Sequence, residues 1–396
     1  MDGFGVVSSK ARQVKTEISM PDKTAHISAE VAAPSLVPAP GRFHAEVVEP
    51  AGGVWDDLAA GFSDFCMEQS FAFAGSRWGR LRAAGLVLRE DGVSEPVSLA
   101  LVLIAKLPML GAGIAYVKFG PLWRRAGAAA DPEILFAALE ALKREFGAKR
   151  RLVVRILPPA DPDYADAWMA ALKAADFSLH APLQDRERYL VNLALSEREQ
   201  LASLGAQWRA NLKKASNELV IHEPGLKTGI PVFVSLYRNM LARKKFDDRH
   251  GIEDLPVIAR AAGDRLGMRL FLATHNDEPV VGSIVIGPGE RVFVPFSATS
   301  DRALGLRAGY ALRWAIIDRL RGTNARWLDL GGAEGDQGLR HYKLGNAGKA
   351  GRVADIPGEY DFVPSALAAG AARALELGRD LVRAPALKKI VAYLPI

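Results

Sequence analysis

One order of elements runs through this chain twice: helix, antiparallel strands, helix, strand. No other feature of the sequence narrows the fold so far. In the first run, residues 54–67 read as a helix, 85–89 and 96–104 as strands, and 116–120 as a short strand stopped by Pro121. A helix follows at 132–146, with Ile134, Leu135, Ala138, Leu139 and Leu142 on one stripe. RLVVRILP at 151–158 alternates as a strand, and 164–175 is helical again. The second run opens with the strand RYLVNLAL at 188–195. Ser196 then caps a helix, with Glu199 at the capping-box position. Leu201, Leu204, Trp208, Leu212, Ala215 and Leu219 form its apolar stripe. After a helix at 231–244 come strands near 269–274, 279–287 and 291–299, a helix at about 309–321, and the strand ARWLDL at 325–330.

This order predicts an α/β (α+β) chain of two similar domains in tandem, each a mixed, mostly antiparallel sheet flanked by helices. The expected boundaries are a flexible tail at 1–43, domains at 44–187 and 188–360, and a helical tail at 361–396. The two halves show no sequence identity. With 396 residues, 49% of them apolar, the chain can fill two full-sized cores. The Ala/Leu-rich tail carries Arg and Lys at intervals, so it either docks on the core or lies on a membrane surface.

The net charge of +6 and a pI of about 9.3 suit an anionic partner such as tRNA, a nucleotide sugar, CoA or a membrane surface, and equally a basic enzyme with a small substrate. Cys66 is the single cysteine, which excludes an internal disulfide and a cysteine-held zinc. The seven histidines show no i, i+4 pair and no HExxH, so no metal is expected. MDGFGVVSSKAR has no apolar core of signal-peptide length. The greasiest stretch, 99–117, is broken by Lys106, Pro108 and two glycines, which fits two strands and a turn rather than a membrane span. A cytoplasmic protein is expected.

Three stretches carry candidate chemistry. In QWRANLKKAS (207–216), Arg209 and Lys213 sit one helical turn apart on one flank. Like charges at that spacing repel, and an anion between them would reverse the sign. A solvated basic face is the alternative. In LDLGGAEGDQGLRHYKLGNAGK (328–349), a strand ends at Asp329 and a loop with six glycines follows. Such a loop lets backbone N–H groups approach a ligand. Arg340, Lys343 and Lys349 make it basic, and Asp329, Glu334 and Asp336 supply acids. In 301–320, a helix follows a strand where an acyl-CoA-dependent GNAT enzyme carries Q/R-x-x-G-x-G/A. Here Arg302-x-x-Gly305-x-Arg307 and Leu306-x-x-Gly309-x-Ala311 each miss one position.

Five stretches in order, QSFAFAGSRWG (69–79), YVKFGPLW (116–123), 186–215, 309–332 and GLRHYKLGNAGK (338–349), resemble the FemAB/FemX family. The second, third and fifth look like its GP-containing strand, its W-R-x-N-[IL]-[RK]-K-A helix and its F-K-x-x-F-G element. Tyr342 stands for the usual Phe and Asn346 for the second aromatic. The long helical hairpin of some relatives is missing. The resemblance covers about residues 60–350 and implies two GNAT-like domains. It also implies transfer of an aminoacyl or acyl group to an amine of a cell-envelope precursor, peptidoglycan- or polysaccharide-related. The donor would be aminoacyl-tRNA or acyl-CoA, with no permanently bound cofactor and no DNA partner. By family position and its glycine-rich setting, Lys343 would stabilise the tetrahedral intermediate or hold the acyl donor. Asp329, Glu334 and Asp336 are the acids available to orient the amine. Arg209 and Lys213 would face the substrate diphosphate or the tRNA acceptor end. Trp78, with Arg77 and Arg80, would serve the first-domain side of the cleft. Arg340, Tyr342, Gly331 and Gly332 would complete the binding loop. Two rivals stay open: an acyl-CoA-dependent N-acetyltransferase acting on a small amine or sugar, and a non-catalytic binding module of envelope assembly.

Overall fold

The computed structural model describes residues 36–77, 82–108, 110–183, 185–244 and 251–383. In chain order the first elements are β1 (Phe43–Val48), α1 (Gly52–Ala60), α2 (Phe71–Arg77), β2 (Arg82–Glu90), β3 (Ser98–Lys106), β4 (Gly113–Lys118), α3 (Pro132–Leu142), β5 (Leu152–Leu157), α4 (Ala165–Ala174) and β6 (Ser178–Ala181). Then come β7 (Glu187–Asn192), α5 (Glu197–Ser203), α6 (Ala206–Lys213), β8 (Val220–His222), α7 (Leu226–Lys244), α8 (Leu255–Ala262), β9 (Arg269–His275), β10 (Glu278–Ile286) and β11 (Arg291–Thr299). The last are α9 (Arg302–Gly305), α10 (Ala308–Leu320), β12 (Trp327–Asp329), α11 (Gln337–Ala347), β13 (Arg352–Asp355), β14 (Glu359–Phe362) and α12 (Ala366–Arg383).

Two seven-stranded sheets result, in the orders β1-β2-β3-β4-β5-β14-β6 and β13-β7-β12-β11-β10-β9-β8. Both follow one plan. Four antiparallel strands lead to a single parallel pair, β4 with β5 or β11 with β12, and a crossover helix, α3 or α10, joins its members. The final places show an exchange. β7 follows β6 in sequence yet pairs in the second sheet, and β14 follows β13 yet fills the gap between β5 and β6 of the first. The expected domain end at 360 therefore cuts through a strand that completes the other half. Such long-range pairing leaves no local sign in the sequence.

Apolar faces explain the layers. The sides of sheet 1 and sheet 2 that face α1, α2, α7 and α8 share one core, in which Trp55, Phe65, Leu101, Phe233, Leu255 and Phe296 are all buried. α3 and α4 cover the other side of sheet 1, and α10 packs against sheet 2 through Leu312, Ile316 and Ile317. α12 docks on sheet 1. It buries Ala368 and Ala372 beside Val153, and Glu376 pairs with Arg155. Among the described residues, no helix is long and apolar enough to cross a membrane.

The helix expected to run unbroken from 196 to about 219 is two helices. The Ser196–Glu199 capping box starts α5, but the chain turns extended at Leu204 and Gly205 before α6. The cause is distant. Gly205 donates to the Gly345 carbonyl at 2.9 Å, and a Cβ on Gly205 would stand 3.2 Å from Gly345 Cα. The glycine-rich stretch expected as a loop also differs: Gln337–Ala347 is the helix α11, started by Asp336, whose carboxylate accepts the Leu339 N–H at 2.9 Å.

Candidate active site

The parallel pairs differ between the halves. In sheet 1, β4 and β5 stay paired over six positions, Gly113↔Leu152 to Lys118↔Leu157. In sheet 2, β11 and β12 pair over three, Arg291↔Trp327 to Phe293↔Asp329. Beyond Phe293, β11 runs on to Thr299 without β12, so the second sheet opens into a V. α10 begins beside it, after Arg307 in the left-handed region at φ 54°. The N–H groups of its first turn have no carbonyl a turn earlier and carry the positive end of the helix dipole.

Lys343 projects from α11 and donates to the Gly332 carbonyl. Gly331, at φ 77°, makes the turn that brings this carbonyl round, and a Cβ there would sit 3.6 Å from Lys343 Nζ. Burial lowers the Lys343 ammonium to a pKa of about 8. Arg188 and Arg313 push the same way, while Asp329 and Glu334 oppose them.

Asp329, at the end of β12, is 1% exposed. It accepts from Arg188 Nε at 3.2 Å and from the Gly331 N–H at 2.8 Å, and Arg291 lies 3.8 Å away. Burial would raise this carboxyl, but Arg188, Arg291 and the Gly331 N–H hold it below the usual carboxylate range. It also lines a small cavity where the two halves meet, beside Arg188, Arg124, Asp64 and Cys66. The Cys66 thiol is buried and donates to Glu68 at 2.9 Å, and burial pushes its pKa up.

An aromatic trio walls the start of α10. Tyr310 lies 5.1 Å from Trp208 and 5.2 Å from Tyr342, and the Tyr342 hydroxyl donates to the Gly309 carbonyl at 3.0 Å. Arg340 forks onto Glu187 at 2.9 and 3.0 Å, and this bonding, with help from Tyr189, draws the Glu187 carboxyl down to about 2. Arg209 donates to the Ala202 and Leu204 carbonyls at the end of α5, and Lys213 is exposed in the last turn of α6. Asp336 is exposed and occupied as the α11 cap.

The structure thus gathers Asp329, Gly331, Gly332, Tyr342 and Lys343 at the foot of the V. Arg340 is held by Glu187 on β7, and Arg209 and Lys213 lie on the outer face of α6. Trp78 and Arg80 fall outside the described residues. Arg77 ends α2, and its side chain is likewise outside them. Sequence reasoning missed Arg188, Arg291 and Arg313. The last had a signal: one arginine set within the apolar stripe of ALRWAIIDRL.

Residues 198–344 match the family described as the acetyltransferase (GNAT) domain. The fold is similar to the crystal structure of FemX, with a TM-score of 0.66 at 16% identity over 80% of this chain and 97% of that one. It is also similar to a conserved protein of unknown function from Bacteroides thetaiotaomicron, with a TM-score of 0.54 at 13% identity over 80% and 99% of the two chains. No curated protein matches the sequence. The second half is an acyltransferase-type domain, and the expected tandem GNAT-like fold is the one observed.

Proposed function

We propose that the chain is an N-acyltransferase that moves an aminoacyl or acyl group from an anionic donor to an amine of a cell-envelope precursor. The observation that carries this reading is the V between β11 and β12, with the first turn of α10 beside it and Lys343 at its foot. The donor's phosphate-bearing arm lies along the start of α10, and its carbonyl reaches toward Lys343. The motif resemblance to the FemAB/FemX family supports aminoacyl-tRNA as donor, and the GNAT domain equally supports acyl-CoA.

The amine nitrogen attacks the donor carbonyl carbon, and the C=O electron pair moves onto oxygen. Lys343, as ammonium, stabilises that oxyanion. Collapse re-forms C=O, breaks the bond to the leaving oxygen or sulfur, and sends the amine's proton to the leaving group. The product is an amide, and the donor departs as a ribose hydroxyl or a thiol. Asp329 acts at one remove: it fixes Arg188 and the Gly331 turn that presents the Gly332 carbonyl to Lys343.

The test is a thermal-shift titration with acyl-CoAs, run in parallel with aminoacyl-tRNA or its minihelix at low and moderate salt. A shift with acyl-CoA assigns the thioester donor. A salt-sensitive shift with charged RNA alone assigns the ester donor. Stabilisation by neither donor overturns the reading.

A further inference from the structure

Among the described residues, Arg313 is the least explained charge. Its side chain projects from the sheet-facing side of α10 and is 7% exposed. Two of its nitrogens, Nε and Nη1, are buried with no hydrogen-bond partner. The third, Nη2, reaches Ser297 Oγ at 3.5 Å, the outer limit of a hydrogen bond. Among the described residues no carboxylate pairs with it. The other buried arginines among the described residues are compensated: Arg155 by Asp361 and Glu376, and Arg124 by Asp161 and Glu290. A buried charge without a partner is costly to the fold, and a guanidinium cannot shed its proton to escape that cost.

Its surroundings point outward to a ligand. Ser297 is an exposed residue on the stretch of β11 that has lost β12, so Nη2 stands at the open side of the V. Ser283 Oγ lies 2.9 Å from Ser297 Oγ and extends the polar floor. On the α11 side Arg313 also faces the Tyr342 hydroxyl, a neutral hydrogen-bonding group, and the Lys343 ammonium, and neither supplies a counter-charge.

We propose that Arg313 recognises an anionic oxygen of the donor inside the V, either a phosphate or a carboxylate carried by the acyl group. This rests on the reading that the donor enters between β11 and β12. The ligand supplies the counter-charge that the fold withholds, so Arg313 selects donors bearing that anion.

Arg313→Gln removes the charge and keeps a donor for Ser297, and Arg313→Lys keeps the charge. Melting temperatures of the full chain are read alone and against CoA, inorganic pyrophosphate and succinate. Relief of the unpaired charge raises the melting temperature of ligand-free Arg313→Gln above wild type. Loss of a charge-assisted bond weakens its anion binding by roughly tenfold or more, while Arg313→Lys retains most of it. Loss confined to pyrophosphate and CoA names phosphate as the anion, and loss confined to succinate names an acidic acyl group. An Arg313→Gln protein that melts below wild type marks a structural arginine and overturns the proposal. So does unchanged binding, or a wild type that binds none of the anions. Acyl transfer by wild type together with unchanged anion binding in Arg313→Gln would sink this inference alone and leave the acyltransferase reading standing.

Discussion

Replacing Asp329 by Asn isolates the buried charge at the foot of the V. The carboxylate is 1% exposed and answers Arg188 at 3.2 Å and Arg291 at 3.8 Å. Asn keeps the shape and still accepts the Gly331 N–H, so the turn survives while the charge goes. Breaking a buried ion pair from one side costs about 3–5 kcal/mol, because the partner stays charged and buried. The lower end is expected here, about 3 kcal/mol, since Glu68 remains within the field of Arg188 and Asp161 lies 4.0 Å from Arg291. Asp355→Asn is the control. Its pair with Arg186 at 3.0 Å is about half exposed on both sides, and such pairs are worth at most about 1 kcal/mol. Denaturant titration followed by tryptophan fluorescence compares the two. The same variant also removes a negative charge that holds up the Lys343 ammonium, so that lysine moves further below 8. Its reactivity toward an amine-acylating reagent at pH 7.5 should rise. Equal stability losses in the two variants, with unchanged Lys343 reactivity, would refute the reasoning.

The other expectations are simpler. Lys343→Ala lowers turnover at least about tenfold without unfolding the protein, as removal of a transition-state contact does. If Lys343 acts as ammonium, the rate of wild type falls as pH rises through about 8, and a rate that climbs there would make it a base. The stability sign is separate. The folded value lies below the ordinary 10.5, so the charged lysine destabilises the fold below pH 8, and that penalty fades as pH rises from about 8 to 10.5. Gly331→Ala forces a side chain into the left-handed region and costs about 1–2 kcal/mol, read as a lower melting temperature. Arg209→Ala releases two α5 carbonyls and changes stability by about 1 kcal/mol or less. A large change in the salt slope of RNA binding in that variant would mark Arg209 as a phosphate contact.

The periodic elements were legible because their physics is local. The stripe of α3, the β9 to β11 meander and the Ser196–Glu199 box each follow from neighbours a few positions apart. What stayed hidden depends on distant partners. The break at Gly205 is dictated by Gly345, 140 positions on. α11 looked like a loop because Gly338 and Gly345 lie inside it. Yet Gly345 lets Trp208 pack close, with a Cβ position only 3.3 Å from the indole. Lys343 and Asp329 were readable as candidates from the glycine-rich stretch. Their setting was not, since Arg188 arrives from another strand and Arg313 from another helix.

The exchange of β7 and β14 sets limits on how this molecule can move and be divided. β14 leaves the second half to lie inside the first sheet, so the chain crosses between the sheets twice, before β7 and before β14, and the sheets cannot swing apart like the jaws of a hinged enzyme without exposing the apolar core they share. Large ligands must therefore come and go through changes in loops and side chains around the V. A cut between β6 and β7 would yield two pieces, each short of a strand or left with an orphan one. They should be insoluble singly and recover when expressed together, so that the tandem repeat is read as one inseparable unit of selection.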